Sequence, residues 1–216
     1  MANALSVNVC PYCNRQSTFT LGDDLNHGTR PHYDHYINRK IAPYFSLSFF
    51  NLVPSCYICN SGLKKDNFFP IEDYIHPYVD DYTDEVVFTL SVKDIKFVDG
   101  KASSYELSFK PSDLSNLERH EAEHAPRTYE LLRLKDLYNM HKDYVDEIII
   151  KTWIYNDEYI DALYKPYKGT LFKDKDDVFR MLLSNYVTTE DLEKRPLAKL
   201  TRDIGRELEL LSSDVD

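Results

Sequence analysis

The stretch FFNLVPSCYICNSGLKK, residues 49–65, decides how this chain is read. It places Cys56 and Cys59 two residues apart, an asparagine directly after them, and two lysines at its end. The chain has four cysteines, and the other two stand in the same spacing, as Cys10-Pro-Tyr-Cys13. Two C-x-x-C pairs with none left over fit a tetrahedral four-thiolate site for structural zinc. A redox pair would need a single C-x-x-C in a βαβ setting, and four unrelated core cysteines would not be paired. The segment between the pairs, Asn14 to Ser55, is 42 residues long. Zinc ribbons separate their pairs by about 15–20. The zinc therefore staples the two ends of a segment that carries something else.

That segment contains RPHYDHYIN, residues 30–38, with Asp34 beside His35. The full pattern is C-x-x-C, then Asp34-His35, then Asn51-Leu-Val-Pro, then C-x-x-C-Asn60, with Lys64 shortly after. In this order the residues resemble the HNH nuclease motif, the ββα-metal or His-Me finger, in its zinc-stapled, endonuclease VII-like form. The resemblance covers about residues 10–65. It implies a metal-dependent endonuclease in which His35, Asn51 and Asn60 are the catalytic residues. It also implies that Asp34 and Asn60 hold a divalent ion.

The chemistry suits these residue types. Phosphodiester hydrolysis needs an activated water, and a neutral imidazole is an apt base. It also needs a hard cation at the phosphate, and Mg²⁺ or Mn²⁺ accepts the oxygen ligands that Asp34 and Asn60 offer. Asn51 is expected to hold the loop that aims His35. Arg39, Lys64 and Lys65 are candidates for substrate phosphates, and Asn60 and Lys64 would share a helical face. On a regular strand Asp34 and His35 point to opposite sides, so both reach one site only if the strand twists, bulges or ends there. His27 and His32 fit no motif position and read as solvated loop residues, His32 being the weaker candidate for substrate contact.

The remainder reads as an α+β chain whose C-terminal part is mainly helical. The expected division is 1–75 for the nuclease motif with its zinc, 76–110 for short antiparallel strands, and 111–216 for helices that dock a partner. VVFTLSV, IKFVD and YELSFK supply two or three strands, with Asp99-Gly100 as turn material. From Ser115 a long helical pattern follows, which Pro126 should interrupt. KDDVFRMLLSNYV and RPLAKLTRDIGRELELL add helices, the latter starting near Pro196. His120, His124 and His141 read as a solvated helix face. His76-Pro77-Tyr78 resembles a segment of stand-alone antiphage HNH proteins, but a turn fixed by Pro77 with Tyr78 packed in the core is the better reading than a direct catalytic role. LYNMHKDYVDEII and KRPLAKLTRDI resemble the HNH subunit of Septu-type antiphage systems, which implies a partner ATPase.

Charge sharpens this picture. Residues 1–70 carry a net +2, whereas the rest carries −12 within a chain total of −10. Phosphate neutralisation supplies most non-specific nucleic-acid affinity, so so acidic a chain needs help to stay on DNA. No Walker loop is present, and any nucleotide-dependent step falls to another chain. The N-terminus has no basic segment followed by a long apolar one, and no run of 18 apolar residues occurs. These features lead to the expectation of a cytoplasmic location without membrane contact. A zinc-stabilised nucleic-acid-binding or interaction module without catalysis is the competing function.

Overall fold

The computed structural model describes residues 5, 7–22, 28–80, 86–92, 105–111 and 124–211. The architecture is α+β, with a four-cysteine cluster at the N-terminal end, short strands, and a mostly helical C-terminal region. Packing divides the chain into two compact units. One comprises Met1–Val87 with Pro111–Leu134, the other Phe88–Lys110 with Lys135–Asp216.

In the first unit β1 (His32–His35) pairs antiparallel with β2 (Leu52–Ser55), with Asp34 opposite Val53 and His35 opposite Leu52. One further bond, from the Tyr36 amide to the Asn51 carbonyl, closes the hairpin at 2.9 Å. β1 thus ends at His35, the termination that lets Asp34 and His35 line one cavity. The chain then turns through Pro43–Phe45 and Phe49–Asn51, both 3-10 turns, before β2. After β2 comes a π-helical segment, Ile58–Lys64, rather than an α-helix. Its closing bond runs from the Lys65 amide to the Asn60 carbonyl, five residues back.

The expected boundary between residues 75 and 76 falls inside a packed core. The Tyr36 hydroxyl donates to the Tyr74 carbonyl, and the Tyr78 hydroxyl to the Leu52 carbonyl. The His76 ring lies 4.2 Å from that of Tyr36. The Ile75 amide donates to Thr128 Oγ1 in α1 (His124–Leu131). Residues 74–80 and 124–131 therefore belong with the hairpin, because its buried Tyr36 needs them as a wall. His76 is a packing residue here. Its Nδ1 accepts a bond from the Tyr78 amide, which requires an unprotonated nitrogen.

In the second unit, VVFTLSV forms β3 (Val86–Val92), which pairs with β4 (Tyr105–Pro111). IKFVD, Asp99-Gly100 and Ser115 lie outside the described residues, as do His27 and His120. The long helical pattern is cut into α1, α2 (Leu134–Asn139), α3 (Lys142–Ile154) and α4 (Asp157–Tyr167). Pro126 lies within α1, and the pattern ahead of His124 lies outside the described residues. The break between α1 and α2 is Arg133, at a φ of 48°. Asn156 caps α4 by accepting from the Tyr159 amide, and Asp174 caps α5 (Lys175–Leu183) in the same way. His124 is buried, contrary to the solvated face expected for it.

The last helix, α6 (Ala198–Glu207), buries all of Ala198 to Gly205. A helix this enclosed must pair its charges internally. Asp203 does so by accepting from Lys199, from Arg202 and from the Phe88 amide of β3. Among the described residues, no helix is long and apolar enough to cross a membrane.

Burial lowers the His76 pKa from its ordinary value of 6.5, against an opposing pull from Asp80. The unfolded chain then binds more protons than the folded one just below pH 6.5, so stability falls as pH drops through that window. Denaturant titrations at pH 7 and pH 5.5 should show a larger loss for the wild type than for His76→Gln. Equal losses would show that His76 does not titrate against the fold.

Candidate active site and metal centre

The Sγ atoms of Cys10, Cys13, Cys56 and Cys59 all lie within 4.8 Å of one another, and all four residues are buried. Cys13 and Cys56 are 4.0 Å apart at sulfur. A tetrahedron with Zn–S bonds of about 2.3 Å has edges of about 3.8 Å, so the cluster is nearly the size zinc requires. The first pair sits in a tight knuckle. The Cys10 amide bonds the Gln16 carbonyl, the Asn14 amide bonds the Cys10 carbonyl, and Asn14 turns the chain at a φ of 45°. Burial pushes the Cys10 thiol up, the surrounding sulfurs push Cys59 up, and neighbouring thiols hold Cys56 well below the usual thiol range. A dication among the sulfurs would let all four ionise. Four buried cysteines this close suit a structural metal such as zinc.

Next to this cluster a cavity of about 360 Å³ opens at the end of β1. Asp34 and His35 line it from the strand, Asn60 and Lys65 from the π-helical segment, and Arg39 from the loop after the strand. Five of the residues singled out from sequence therefore meet in one place. Tyr33, Asn38, Ser61 and Asp66 complete the lining, and nothing in their sequence context marked them. Asp66 is paired with Lys40 across the surface, which holds its carboxyl below the usual range. His32 stays outside, exposed, with its ring edge against Tyr57.

His35 is fixed by one bond, 3.1 Å from Nε2 to the Ser46 carbonyl. A carbonyl only accepts, so Nε2 carries the proton and Nδ1 is left as the acceptor nitrogen. Asn51 secures the loop bearing Ser46. Its Oδ1 accepts from the Ile37 amide at 2.6 Å, and its Nδ2 donates to the carbonyls of Ile37 and Phe45. Asn51 is buried and does not line the cavity. It positions His35 through backbone.

Lys64 is not the phosphate contact that its sequence position suggests. It does not reach the cavity, and its side chain is only 2% exposed. The Nζ donates to Asp34 Oδ2 at 2.6 Å and to the carbonyls of His35 and Tyr36 at 2.9 and 3.0 Å. These three acceptors hold the ammonium in the interior, while Asn60, expected on the same helical face, lines the cavity. Burial lowers the Lys64 pKa, and the Asp34 charge opposes that. The Tyr12 hydroxyl, from the first cysteine knuckle, also donates to Asp34 Oδ2, at 2.6 Å. Burial and then the Asp34 charge push this phenol up, so it remains a donor. The bonds from Tyr12 and Lys64 both fall on Asp34 Oδ2, which leaves Oδ1 for whatever occupies the cavity.

The chain is similar to protein ea31 of Escherichia phage lambda, with 28% identity over 134 residues. That alignment covers 61% of this chain and 40% of the phage protein, so the chain spans less than half of its relative. No family model matches the chain, and no solved structure matches it.

Two outcomes follow from this geometry. Cys56→Ser should reduce bound zinc, measured by atomic absorption, and lower the melting temperature in parallel; a zinc-free protein of unchanged melting temperature would overturn the structural role. Lys64→Met should cost about 3–5 kcal/mol, the usual result of stripping one partner from a buried ion pair. Lys65→Met, on the exposed surface, should stay within about 0.5 kcal/mol. Urea midpoints compare the two, and equal effects would contradict the placement of Lys64.

Proposed function

We propose that residues 10–65 form an HNH-type endonuclease that hydrolyses phosphodiester bonds in DNA with Mg²⁺ or Mn²⁺, stapled by structural zinc. The observation that carries this reading is the shared cavity of Asp34, His35 and Asn60, with His35 Nε2 committed to the Ser46 carbonyl. A base committed at one nitrogen presents the other to water. Asp34 Oδ1 and the Asn60 amide oxygen are the hard donors a small dication accepts. When bound, that ion would stabilise charge on the phosphate and on the departing oxygen.

In this reading water attacks phosphorus and gives its proton to His35 Nδ1. The new P–O bond forms as the bond to the sugar oxygen breaks, and that oxygen leaves with a proton from solvent. Arg39 and Lys65, at the cavity wall, bind the phosphates that flank the cut. The effector role is the finer part of the proposal. The resemblance to Septu-type nucleases and the acidic balance after residue 70 support delivery to DNA by a partner ATPase that docks on the helical C-terminal region.

Nicking of supercoiled plasmid with Mg²⁺ or Mn²⁺ tests the activity. His35→Ala should lower the rate by about 10²–10⁴ while zinc content and melting temperature stay unchanged. Wild-type nicking by His35→Ala would remove His35 from the mechanism, and no nicking by the wild type would leave a zinc-stabilised binding module as the better reading. Co-expression with the neighbouring gene product, followed by size-exclusion chromatography, tests the partner. Delivery fails if the chain elutes alone and binds DNA at sub-micromolar affinity in physiological salt.

A further inference from the structure

The loop between β1 and β2 exposes far more apolar surface than its length warrants. Tyr44 is 96% exposed and Leu47 91%, with Ile41, Phe45, Phe49 and Phe50 also exposed. Solvated loops tip with polar residues, and a cluster of exposed aromatic and aliphatic side chains marks a contact surface. This loop is also internally bonded. The amides of Ile41 and Ala42 donate to the Asn38 carbonyl, Phe45 to Ala42, Ser46 to Pro43, Ser48 to Phe45, and Asn51 to Ser48. The Asn51 side chain binds the Phe45 carbonyl as well. The apolar tips are therefore held ready, and little ordering entropy remains to be lost on contact.

Two observations identify the occupant. The loop carries Ser46, whose carbonyl holds His35, so whatever covers Tyr44 and Leu47 lies beside the cavity. In addition, Arg39 and Lys65 line the cavity beside this loop, while Lys64 is buried against Asp34 and Lys40 is paired with Asp66. An apolar tip next to two cavity-lining cations is complementary to a polyanion with apolar faces, which is the chemistry of stacked bases between phosphates.

We propose that Tyr44 and Leu47 form a wedge that enters between base pairs of duplex DNA and unstacks the step beside the phosphate to be cut. This rests on the nuclease reading and deepens it by naming the substrate as a deformable duplex. Stacking on an aromatic side chain and prying with an aliphatic one are both tolerant of sequence. Selectivity would follow deformability, with flexible pyrimidine–purine steps, mismatches and other weakly stacked sites favoured.

The test uses the full chain carrying His35→Ala, so that DNA is bound and not cut, at low salt. The probe is a 20-base-pair duplex with 2-aminopurine at one step, whose fluorescence rises on unstacking. The protein should bind and raise the signal. Adding Tyr44→Ser and Leu47→Ser, both at exposed positions, should weaken binding about tenfold and abolish the rise, with zinc content and melting temperature unchanged. A mismatch beside the probe should recover most of the lost affinity. If the serine variant binds and unstacks like its parent, or if the parent leaves the probe stacked, the wedge is overturned. If the serine variant keeps DNA binding but loses co-elution with another protein, the loop is a protein-docking surface instead. Plasmid nicking by the wild type is measured separately. Unstacking without nicking would sink the nuclease reading and keep the wedge, and nicking without unstacking would do the reverse.

Discussion

A single buried ammonium ties together the strand end, the Asp34 carboxylate and the π-helical segment that wall the cavity of the first unit. Lys64 Nζ sits where the end of β1 meets the π-helical segment, bonded to the Asp34 carboxylate and to two successive strand carbonyls. Those carbonyls belong to His35 and Tyr36, where the ladder to β2 runs out, and they would otherwise be poorly satisfied in a buried setting. A buried ion pair is not by itself a source of stability, because desolvation of both charges offsets their attraction. Its value here is geometric. With Lys64 withdrawn, the strand end, the Asp34 side chain and the segment carrying Asn60 would each lose a common reference point.

The cysteine cluster and the cavity are linked through the same carboxylate. Tyr12 lies between the first two cysteines, and its hydroxyl binds the oxygen of Asp34 that Lys64 also binds. On the other side Asn60 follows Cys59 directly, so the second cysteine pair sets where the π-helical segment begins. A metal among the four sulfurs would thus fix both walls of the cavity from one point, without entering it. That arrangement accounts for the 42-residue insert, which an ordinary clip would not need.

Much of this was legible in the sequence because it is local or carried by spacing. The paired C-x-x-C motifs gave the cluster, the Asp34-His35 dipeptide and Asn60 gave three residues of the cavity, and Asn51 fitted a loop-holding role. The misreadings share a cause: each depended on a tertiary partner. Lys64 reads as a phosphate contact under helical periodicity, and only Asp34 with the carbonyls of His35 and Tyr36 shows why it turns inward. His124 reads as part of a solvated helix face, whereas it is buried. In α6 nothing in KLTRD announces that Asp203 will satisfy two buried cations and a strand amide. Tyr33, Asn38, Ser61 and Asp66 reach the cavity through backbone placement that no short pattern records.

Charge around Asp34 also bears on how firmly a cation could be held there under the nuclease reading. The carboxylate is the acidic group the strand supplies, and Lys64 neutralises it at 2.6 Å. The second donor, Asn60, is a neutral amide. Asp66 lines the same cavity, but its carboxylate is engaged by Lys40 at 2.5 Å. A dication meeting one compensated carboxylate and one amide gains little Coulombic energy against the cost of shedding its waters, and Mg²⁺ sheds them reluctantly. A phosphate arriving with its own negative charge adds the missing oxygen ligand and the missing attraction together. Ion and substrate would then bind with positive coupling, each raising the affinity for the other by the same factor. The site would be empty of catalytic metal until nucleic acid is present, and the buried Lys64 is what sets that dependence.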